Sequence, residues 1–509
     1  MQINKNKCMI IYKYIIFRIG GIKVKDATLK CLFVSSEVAP YAKTGGLADV
    51  IGALPKKLRE QGVDARVVMP YYQSIRNKFF EHDKHFLTSY DVYLGWRIQG
   101  VGIYYDDQIV PTYFLKSDTY FSRPELYGYQ DDYERFAFFC KGVLEMLRYI
   151  DFMPDIIQCN DWQTGPICLF LKEMYSRDTF FLKVRTVYTI HNIKYQGLFG
   201  REALDVLELT NDYMTPERIE YHGAVSYMKA GLLYSDKITT VSPTYAEEIK
   251  TNEYGCGLDR LLGQKLYYKI QGILNGIDYD IYNPETDKYI YENYTESTLD
   301  KKKKNKSAFQ KEYGLEQTDA MLIGVVSRIT DQKGFDLMKE QIYNMWVMDK
   351  IMQLNVQFVI LGTGEKEYED MFKHFAYKYQ GRANVFLTFN EALAQKIYAA
   401  SDVFLMPSLF EPCGLGQLIA MRYGTVPIVR KTGGLKDTVI HYNMETREGT
   451  GFEFEECSGY WMYKKIEEAQ WFYSNEKEHF RQMQINGMKK DFSWDDAAKK
   501  YQILYRTMI

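Results

Sequence analysis

Short β-branched runs recur along the first half of the chain, at Cys31–Val34, Ala65–Met69, Val110–Leu115, Ile156–Cys159, Thr186–Ile190 and Lys237–Val241. The longer segments between them carry apolar residues at helical spacing, a rhythm that predicts β-α-β units and a parallel sheet. A second series follows at Met321–Ser327, Gln357–Leu361, Val385–Phe389, Val403–Met406 and Thr425–Val429. The expected fold class is therefore α/β, with two Rossmann-like parallel-sheet domains. Gly272, Gly276 and Pro284 punctuate the pattern between the two series, placing the boundary near residues 271–275. The expected division is 1–28 as an N-terminal extension of poor order, 29–272 and 273–488 as the two domains, and 489–509 as a closing segment. No repeat of about 20 to 50 residues is present, which excludes solenoids and propellers.

Length agrees with two domains, since 509 residues exceed what one hydrophobic core ordinarily serves. The formal charge of −2, from 64 Lys plus Arg against 66 Asp plus Glu, gives no field for a polyanion, so no nucleic-acid partner is expected. Eight cysteines without a CxxC pair argue against zinc ribbons and disulfide scaffolds and for a reducing compartment. No uninterrupted apolar run reaches about 18 residues, so no spanning helix is expected. The first 28 residues have a basic start and an apolar centre, but Lys13 and Arg18 interrupt it as they would not in a signal peptide.

Candidate chemistry clusters where strands end. After the first run, Lys43-Thr44-Gly45-Gly46-Leu47 leads into a segment with apolar residues at Leu47, Val50, Ile51, Leu54 and Leu58, a helix with one buried stripe. The glycine pair admits close approach of a ligand, and its amides join a helix N-terminus in favouring phosphate oxygens. The same string recurs at Lys431-Thr432-Gly433-Gly434-Leu435, which suggests two phosphate-type loops facing one cleft. No complete GxGxxG and no P-loop GK dipeptide occurs, so dinucleotide and P-loop chemistry lose ground. Ser327 to Gly334 places Arg328 and Lys333 at another strand end, a planar fork and a point charge suited to a diphosphate. One such charge about 4 Å from a phosphate is worth roughly 4 kcal/mol at an effective dielectric near 20, or about a hundredfold or more in rate. Phe410 to Gln417 offers Glu411 for sugar or ribose hydroxyls; Cys413, with no histidine in the adjacent segment, reads as a wall contact rather than a nucleophile. Asn160-Asp161-Trp162-Gln163, His191-Asn192 and Asn275 also follow hydrophobic runs. The pair Asp278 and Asp280 has Asp-x-Asp spacing but reads as a turn, and no metal or cofactor is expected. The basic run Lys301–Lys304 reads as a solvated helix start or loop.

Taken together, KTGGLADV at 43–50, HNIKYQGLFG at 191–200, NGIDYDIYNP at 275–284, SRITDQKG at 327–334 and the stretch from FEPCGLGQ through TGGLKDTV at 410–439 resemble bacterial glycogen synthase and plant starch synthase. The resemblance covers roughly residues 29 to 505. It implies a GT-B fold with a deep cleft, a retaining hexosyltransferase, a nucleotide-sugar donor (ADP-glucose, with UDP-glucose left open), an α-1,4-glucan acceptor and a cytoplasmic, non-membrane enzyme. By matching position it implies that Arg328, Lys333, Glu411, His191 and Asp161 form the catalytic centre. Lys43, Gly45, Gly46, Asp49, Asn275, Cys413, Gly414, Leu415, Thr432, Gly433 and Gly434 would bind substrate. Within that set Lys43 and the Gly45-Gly46 amides meet the donor diphosphate, His191 and Asn275 the glucose 6-hydroxyl, Asp161 the acceptor side and Glu411 the donor sugar. It further implies a front-face reaction without a protein nucleophile, unlike the two-carboxylate hydrolases, and a closing helix around Asp491 to Trp494 that returns to the first domain. Two departures are visible: Gln163 stands where many relatives have histidine, and Ile419 stands where a related GT-B group has a second glutamate. The alternatives are another GT-B transferase with a different donor or acceptor, and an inactive glucan-binding homologue.

Overall fold

The computed structural model describes residues 28–79 and 85–509, so the extension expected over 1–28 falls, but for residue 28, outside the described residues. The first lobe is built on a nine-stranded sheet whose strands are β1 (Lys30–Val34), β2 (Asp64–Pro70), β3 (Phe86–Leu94), β4 (Arg97–Asp106), β5 (Thr112–Lys116), β6 (Ile156–Asn160), β7 (Arg185–Ile190), β8 (Lys237–Thr240) and β9 (Ile270–Gly272). Their spatial order is β9-β8-β7-β6-β1-β2-β5-β4-β3. The strands from β9 to β5 run parallel, and the central ones are buried on both faces, as the unbroken run Cys31, Leu32, Phe33, Val34 requires.

The edge departs from the all-parallel expectation: β3 and β4 form an antiparallel hairpin on β5. Their sequence alternates, with Tyr90, Val92 and Leu94 buried and the residues between them exposed, the signature of a sheet edge with one wet face. Gly95, at φ 60°, makes the two-residue turn with Trp96.

The second lobe has a six-stranded, wholly parallel sheet of β10 (Met321–Val326), β11 (Val356–Leu361), β12 (Ala383–Phe386), β13 (Val403–Met406), β14 (Val426–Arg430) and β15 (Phe452–Phe454), in the order β12-β11-β10-β13-β14-β15. β12 ends before the expected Val385–Phe389 run does. Asn390 takes an amide hydrogen bond from Leu393 to cap the next helix, and the cap turns Phe389 out of the sheet.

The helices that position the site are α1 (Gly46–Glu60), α2 (Asp132–Tyr149), α3 (Gly165–Glu173), α4 (Pro243–Glu248), α5 (Lys302–Glu312), α6 (Gly416–Arg422), α7 (Gly433–Thr438) and α8 (Trp494–Arg506). Helix α8 returns to the first lobe and packs on α1, with Lys57 3.4 Å from Asp495 and Gln502 donating to Gln61 at 2.8 Å. Its entry passes so close to Gly276 that a Cβ there would lie 2.7 Å from the Ser493 backbone.

The basic run is not wholly solvated. Lys302 is buried, and its ammonium donates to Tyr398 O (3.0 Å), Ala399 O (2.7 Å) and Thr425 Oγ1 (2.8 Å). A three-donor ammonium thereby fixes α5 to the end of β13's preceding helix, a role that local charge counting does not reveal. Among the described residues no helix is long and apolar enough to cross a membrane.

Candidate active site

In the first lobe the chain leaves β1 and turns back through Lys43 to Gly46 before α1 begins. The amides of this loop already have a partner. Glu37, buried, accepts from Thr44 N (2.5 Å), Thr44 Oγ1 (2.6 Å), Gly45 N (3.2 Å) and Tyr127 OH (2.9 Å). A carboxylate thus sits where sequence reasoning put a phosphate, and Glu37 was missed although it stands three residues past a strand end. Lys43 Nζ pairs with Asp49 Oδ1 at 2.7 Å, while burial raises the Asp49 carboxyl against the pull of that ammonium.

At the ends of β6 and β7, Asp161 and His191 form a second group. Asp161 adopts φ 56°, unfavourable for a residue with a Cβ, and its Oδ1 accepts from His191 N (2.7 Å) and Asn192 N (3.4 Å). Burial pushes its carboxyl up to about 7, the two amides lower it and Glu37 raises it further. His191 is held neutral, burial lowering its imidazole to about 3. Its tautomer follows from its neighbour: Asn160 Nδ2 donates to Val34 O (2.9 Å) and Gln158 O (3.3 Å), so Asn160 Oδ1 faces His191 Nε2 at 2.9 Å and must accept. The proton is on Nε2, and Nδ1 carries the lone pair.

In the second lobe Lys333 Nζ lies 2.6 Å from Glu411 Oε2, with Ser408 Oγ donating to the same oxygen at 3.0 Å. Arg328 stands apart from this pair, exposed and 3.4 Å from Tyr195 OH. Cys413 is buried, its thiol pushed up to about 12 by desolvation, which leaves it almost wholly protonated at neutral pH. Gly414, at φ 68°, turns the chain into α6, where Ile419 is a buried core residue. The second KTGG loop mirrors the first: Thr432 Oγ1 and Gly433 N donate to Glu248 Oε1 at 3.1 and 2.9 Å. Gly434 runs so close beneath the loop that its Cβ would lie 2.2 Å from Cys413 O.

The two halves meet across one seam. Lys43 Nζ reaches 3.7 Å from Glu391 and sits 5.9 Å from the Phe389 ring centre, and a Cβ on Gly46 would touch Leu415 at 3.7 Å. Asn192 donates to Gln332 (3.3 Å), and Lys194 bridges Asp331 (3.0 Å), tying the His191 loop to the Arg328–Lys333 loop. On the side of the chain crossing, Thr244 donates twice to Asp437 and Ser242 Oγ donates to Pro412 O at 2.5 Å. Asn275 lies on this side, with its amide bonded to the Cys413 thiol and its side-chain Oδ1 buried without a partner among the described residues. The Lys43 loop therefore faces Phe389, Glu391 and Leu415, while the His191 loop faces the loop that carries Arg328 and Lys333, so candidate residues of both lobes lie along this seam. Asp278 and Asp280 do not join them; both pair with Lys56, at 3.7 and 2.6 Å. Among the described residues no group of three or more His, Cys, Asp or Glu could hold a metal ion.

Residues 30–264 match the starch synthase catalytic domain, and residues 306–483 match the glycosyl transferases group 1 model. The glycogen synthase of Clostridium acetobutylicum is 49% identical over 485 residues, which cover 94% of this chain and 100% of that one. The chain belongs to the glycogen and starch synthase family. The glycogen synthase of Geobacillus stearothermophilus is 46% identical, with 94% of this chain and 98% of that one covered. Among solved structures, the catalytic domain of starch synthase IV from Arabidopsis thaliana, bound to ADP and acarbose, superposes with a TM-score of 0.86 at 32% identity, covering 95% of this chain and 99% of that one. A sucrose-phosphate synthase from Thermosynechococcus elongatus (TM-score 0.59, 16% identity, 94% and 99% covered) shares the fold alone. The protein is thus a GT-B hexosyltransferase of the glycogen and starch synthase type.

Proposed function

We propose that the protein transfers glucose from ADP-glucose to the 4-hydroxyl at the non-reducing end of an α-1,4-glucan, with net retention, in the cytoplasm. The observation that carries this reading is the meeting of the Lys43 loop with residues 389–391 and Leu415, beside the Lys333–Glu411 pair. Cations from both lobes then border one hollow that a diphosphate would fill. The ADP bound by the Arabidopsis starch synthase favours the adenine nucleotide.

In this reading residues 29–272 hold the glucan, 273–488 hold the donor and 489–509 tie the second lobe back to the first. Arg328 and Lys333 neutralise the diphosphate as the bond from C1 to its oxygen breaks, which is where fixed charge contributes most. The glucan 4-oxygen bonds to C1 on the same face, and its proton passes to the departing phosphate oxygen. Lys43, with Asp49 beside it, and the Gly45–Gly46, Thr432–Gly434 and Cys413–Leu415 backbones contact the donor. For the loop amides this requires Glu37 and Glu248 to yield. His191 Nδ1 and the unpartnered Asn275 Oδ1 are acceptors suited to the sugar 6-hydroxyl. Asp161 holds the acceptor and Glu411 the donor sugar. Incubation with radiolabelled ADP-glucose and, separately, UDP-glucose tests the reading. Label enters glycogen, preferentially from ADP-glucose; incorporation from neither donor rejects it.

A further inference from the structure

Gln332 stands between Asp331 and Lys333 in the loop after β10, yet it is only 3% exposed. Its backbone carbonyl accepts from Leu409 N at 2.9 Å and its Nε2 donates to Phe410 O at 3.2 Å, both in the segment after β13 that leads into Glu411. Its Oε1 accepts from Asn192 Nδ2 at 3.3 Å, and Asn192 belongs to the other lobe, one residue past His191. The turn is pressed on the same segment at Gly334, where a Cβ would lie 2.0 Å from Pro407 O. Lys333, between Gln332 and Gly334, makes the pair with Glu411.

The other partners of the two amides determine how each is turned. Asn192 Oδ1 accepts from Lys194 N at 3.0 Å, so Nδ2 is the group that faces Gln332. Gln332 Nε2 faces a carbonyl, so Oε1 is the group that faces Asn192. Asn192 N in turn donates to Asp161 Oδ1, the oxygen that also receives His191 N. One chain of hydrogen bonds therefore runs from Asp161 through Asn192 and Gln332 to Phe410, from the strand ends of the first lobe to the strand end beside Glu411.

Two further contacts cross the seam here, Lys194 with Asp331 and Arg328 with Tyr195. Lys194, Tyr195 and Arg328 are exposed and the Asp331 side chain is half so, and exposed pairs contribute little. Gln332 differs because it is buried. Among the described residues no donor of its own lobe reaches its Oε1, so without Asn192 it is a desolvated acceptor with nothing to accept. A glutamine that only braced its own loop would need Nε2 on Phe410 and no more.

We infer that Gln332 and Asn192 are positioning residues whose amide pair couples the two half-sites. Formed only with the lobes together, it holds the 331–334 turn, and with it the Lys333–Glu411 pair, in register with the strand ends that carry Asp161 and His191. This rests on the reading that Lys333 and Glu411 serve the donor and Asp161 the acceptor. Transfer needs both half-sites in register and so depends on the pair, whereas binding of nucleotide to the second lobe does not.

Asn192→Ala, Gln332→Ala and the double variant test it. Asn192 is only partly buried, so Asn192→Ala keeps the fold even where Gln332→Ala does not. Each single variant lowers kcat for transfer to glycogen about tenfold, equivalent to about 1.4 kcal/mol, the scale of one buried hydrogen bond. The double variant loses no more than about twofold beyond either single, because the two side chains act through one bond. The Kd of ADP, from calorimetric titration, stays within about twofold, which a general loosening of the second lobe would not allow. Losses that multiply in the double variant overturn the inference, and so do single variants that keep kcat within about twofold. An ADP Kd that weakens in step with kcat also overturns it, since Gln332 then braces only its own loop. If wild type transfers no glucose, the functional reading fails by itself, and amide exchange still decides the pair. In ligand-free Asn192→Ala, exchange across residues 331–334 quickens at least about threefold although the substitution lies in the other lobe. An unchanged rate overturns the inference.

Discussion

Replacing Lys333 by methionine separates what the Lys333–Glu411 pair does for the fold from what it does for turnover. The two side chains are 15% and 7% exposed and 2.6 Å apart, with Ser408 the other donor to the same Glu411 oxygen. Removing one member of a buried pair leaves a desolvated carboxylate, a loss of about 3–5 kcal/mol when burial is complete and toward the low end here. For a lobe of this size that lowers the melting temperature by roughly 2–4 °C per kcal/mol. Lys333→Met combined with Glu411→Gln removes the stranded charge while Ser408 keeps a partner, so most of the melting temperature returns. Turnover does not. The ammonium is worth roughly 4 kcal/mol beside a leaving diphosphate at an effective dielectric near 20, and both variants lose at least about a hundredfold in kcat. The glycogen KM changes little, because the charge it opposes grows only as the bond breaks. The assay is nucleotide release under saturating donor and glycogen, with melting followed calorimetrically. If the double variant regains turnover with stability, or Lys333→Met keeps kcat within about twofold, Lys333 serves only the fold and the electrostatic argument is wrong.

Further outcomes follow from burial. The Asp161 carboxyl is raised in the fold to about 7. The folded state therefore holds a proton that the unfolded chain has lost between about pH 4 and 7, and its stability contribution falls as pH rises through that window. Asp161→Asn consequently gains stability over wild type on going from pH 5 to pH 8, by an amount of order 1–4 kcal/mol read from urea midpoints; a constant difference refutes it. His191 runs the other way: lowered to about 3, it leaves the unfolded chain binding the extra proton below about pH 6.5, so stability is lost as pH falls, and His191→Gln flattens that limb of the same urea series. Lys302→Met leaves Ala399 O without its side-chain donor, while Thr425 Oγ1 keeps Tyr398 O at 2.6 Å, and lowers stability by about 1–3 kcal/mol with no change in either KM, where a solvated lysine would give nothing measurable. Cys413→Ala retains kcat within about threefold, and iodoacetamide labels the exposed Cys256 and Cys457 well before it; rapid labelling of Cys413 contradicts its buried, protonated state.

The central strands were legible because continuous apolar runs such as Cys31–Val34 permit little besides a doubly covered parallel strand. Loops such as Lys43–Gly46 and Ser327–Gly334 were legible as the loops that follow strands because glycines and charged residues break the apolar runs there. The β3–β4 hairpin escaped notice because its half-wet alternation is weaker than the runs around it, and the Gly95–Trp96 turn lacks an Asn-Gly or Asp-Gly signal. Lys302 was misread because its acceptors lie as far as 123 residues away. Glu37 and Glu248 were invisible as occupants of the two Gly-rich loops, the second because its partner Thr432 is 184 residues distant and in the other lobe.

By itself, then, the sequence determined the two β-α-β series and which short segments at strand ends combine glycines with charged side chains, since periodicity and backbone freedom are local properties. Tertiary structure decided which carboxylates occupy the loop amides, which His191 nitrogen bears the proton, how far burial raises Asp161 and which lysine of a basic run leaves water. Those outcomes depend on desolvation and hydrogen-bond partners supplied by distant chain, and both exist only once the lobes have packed.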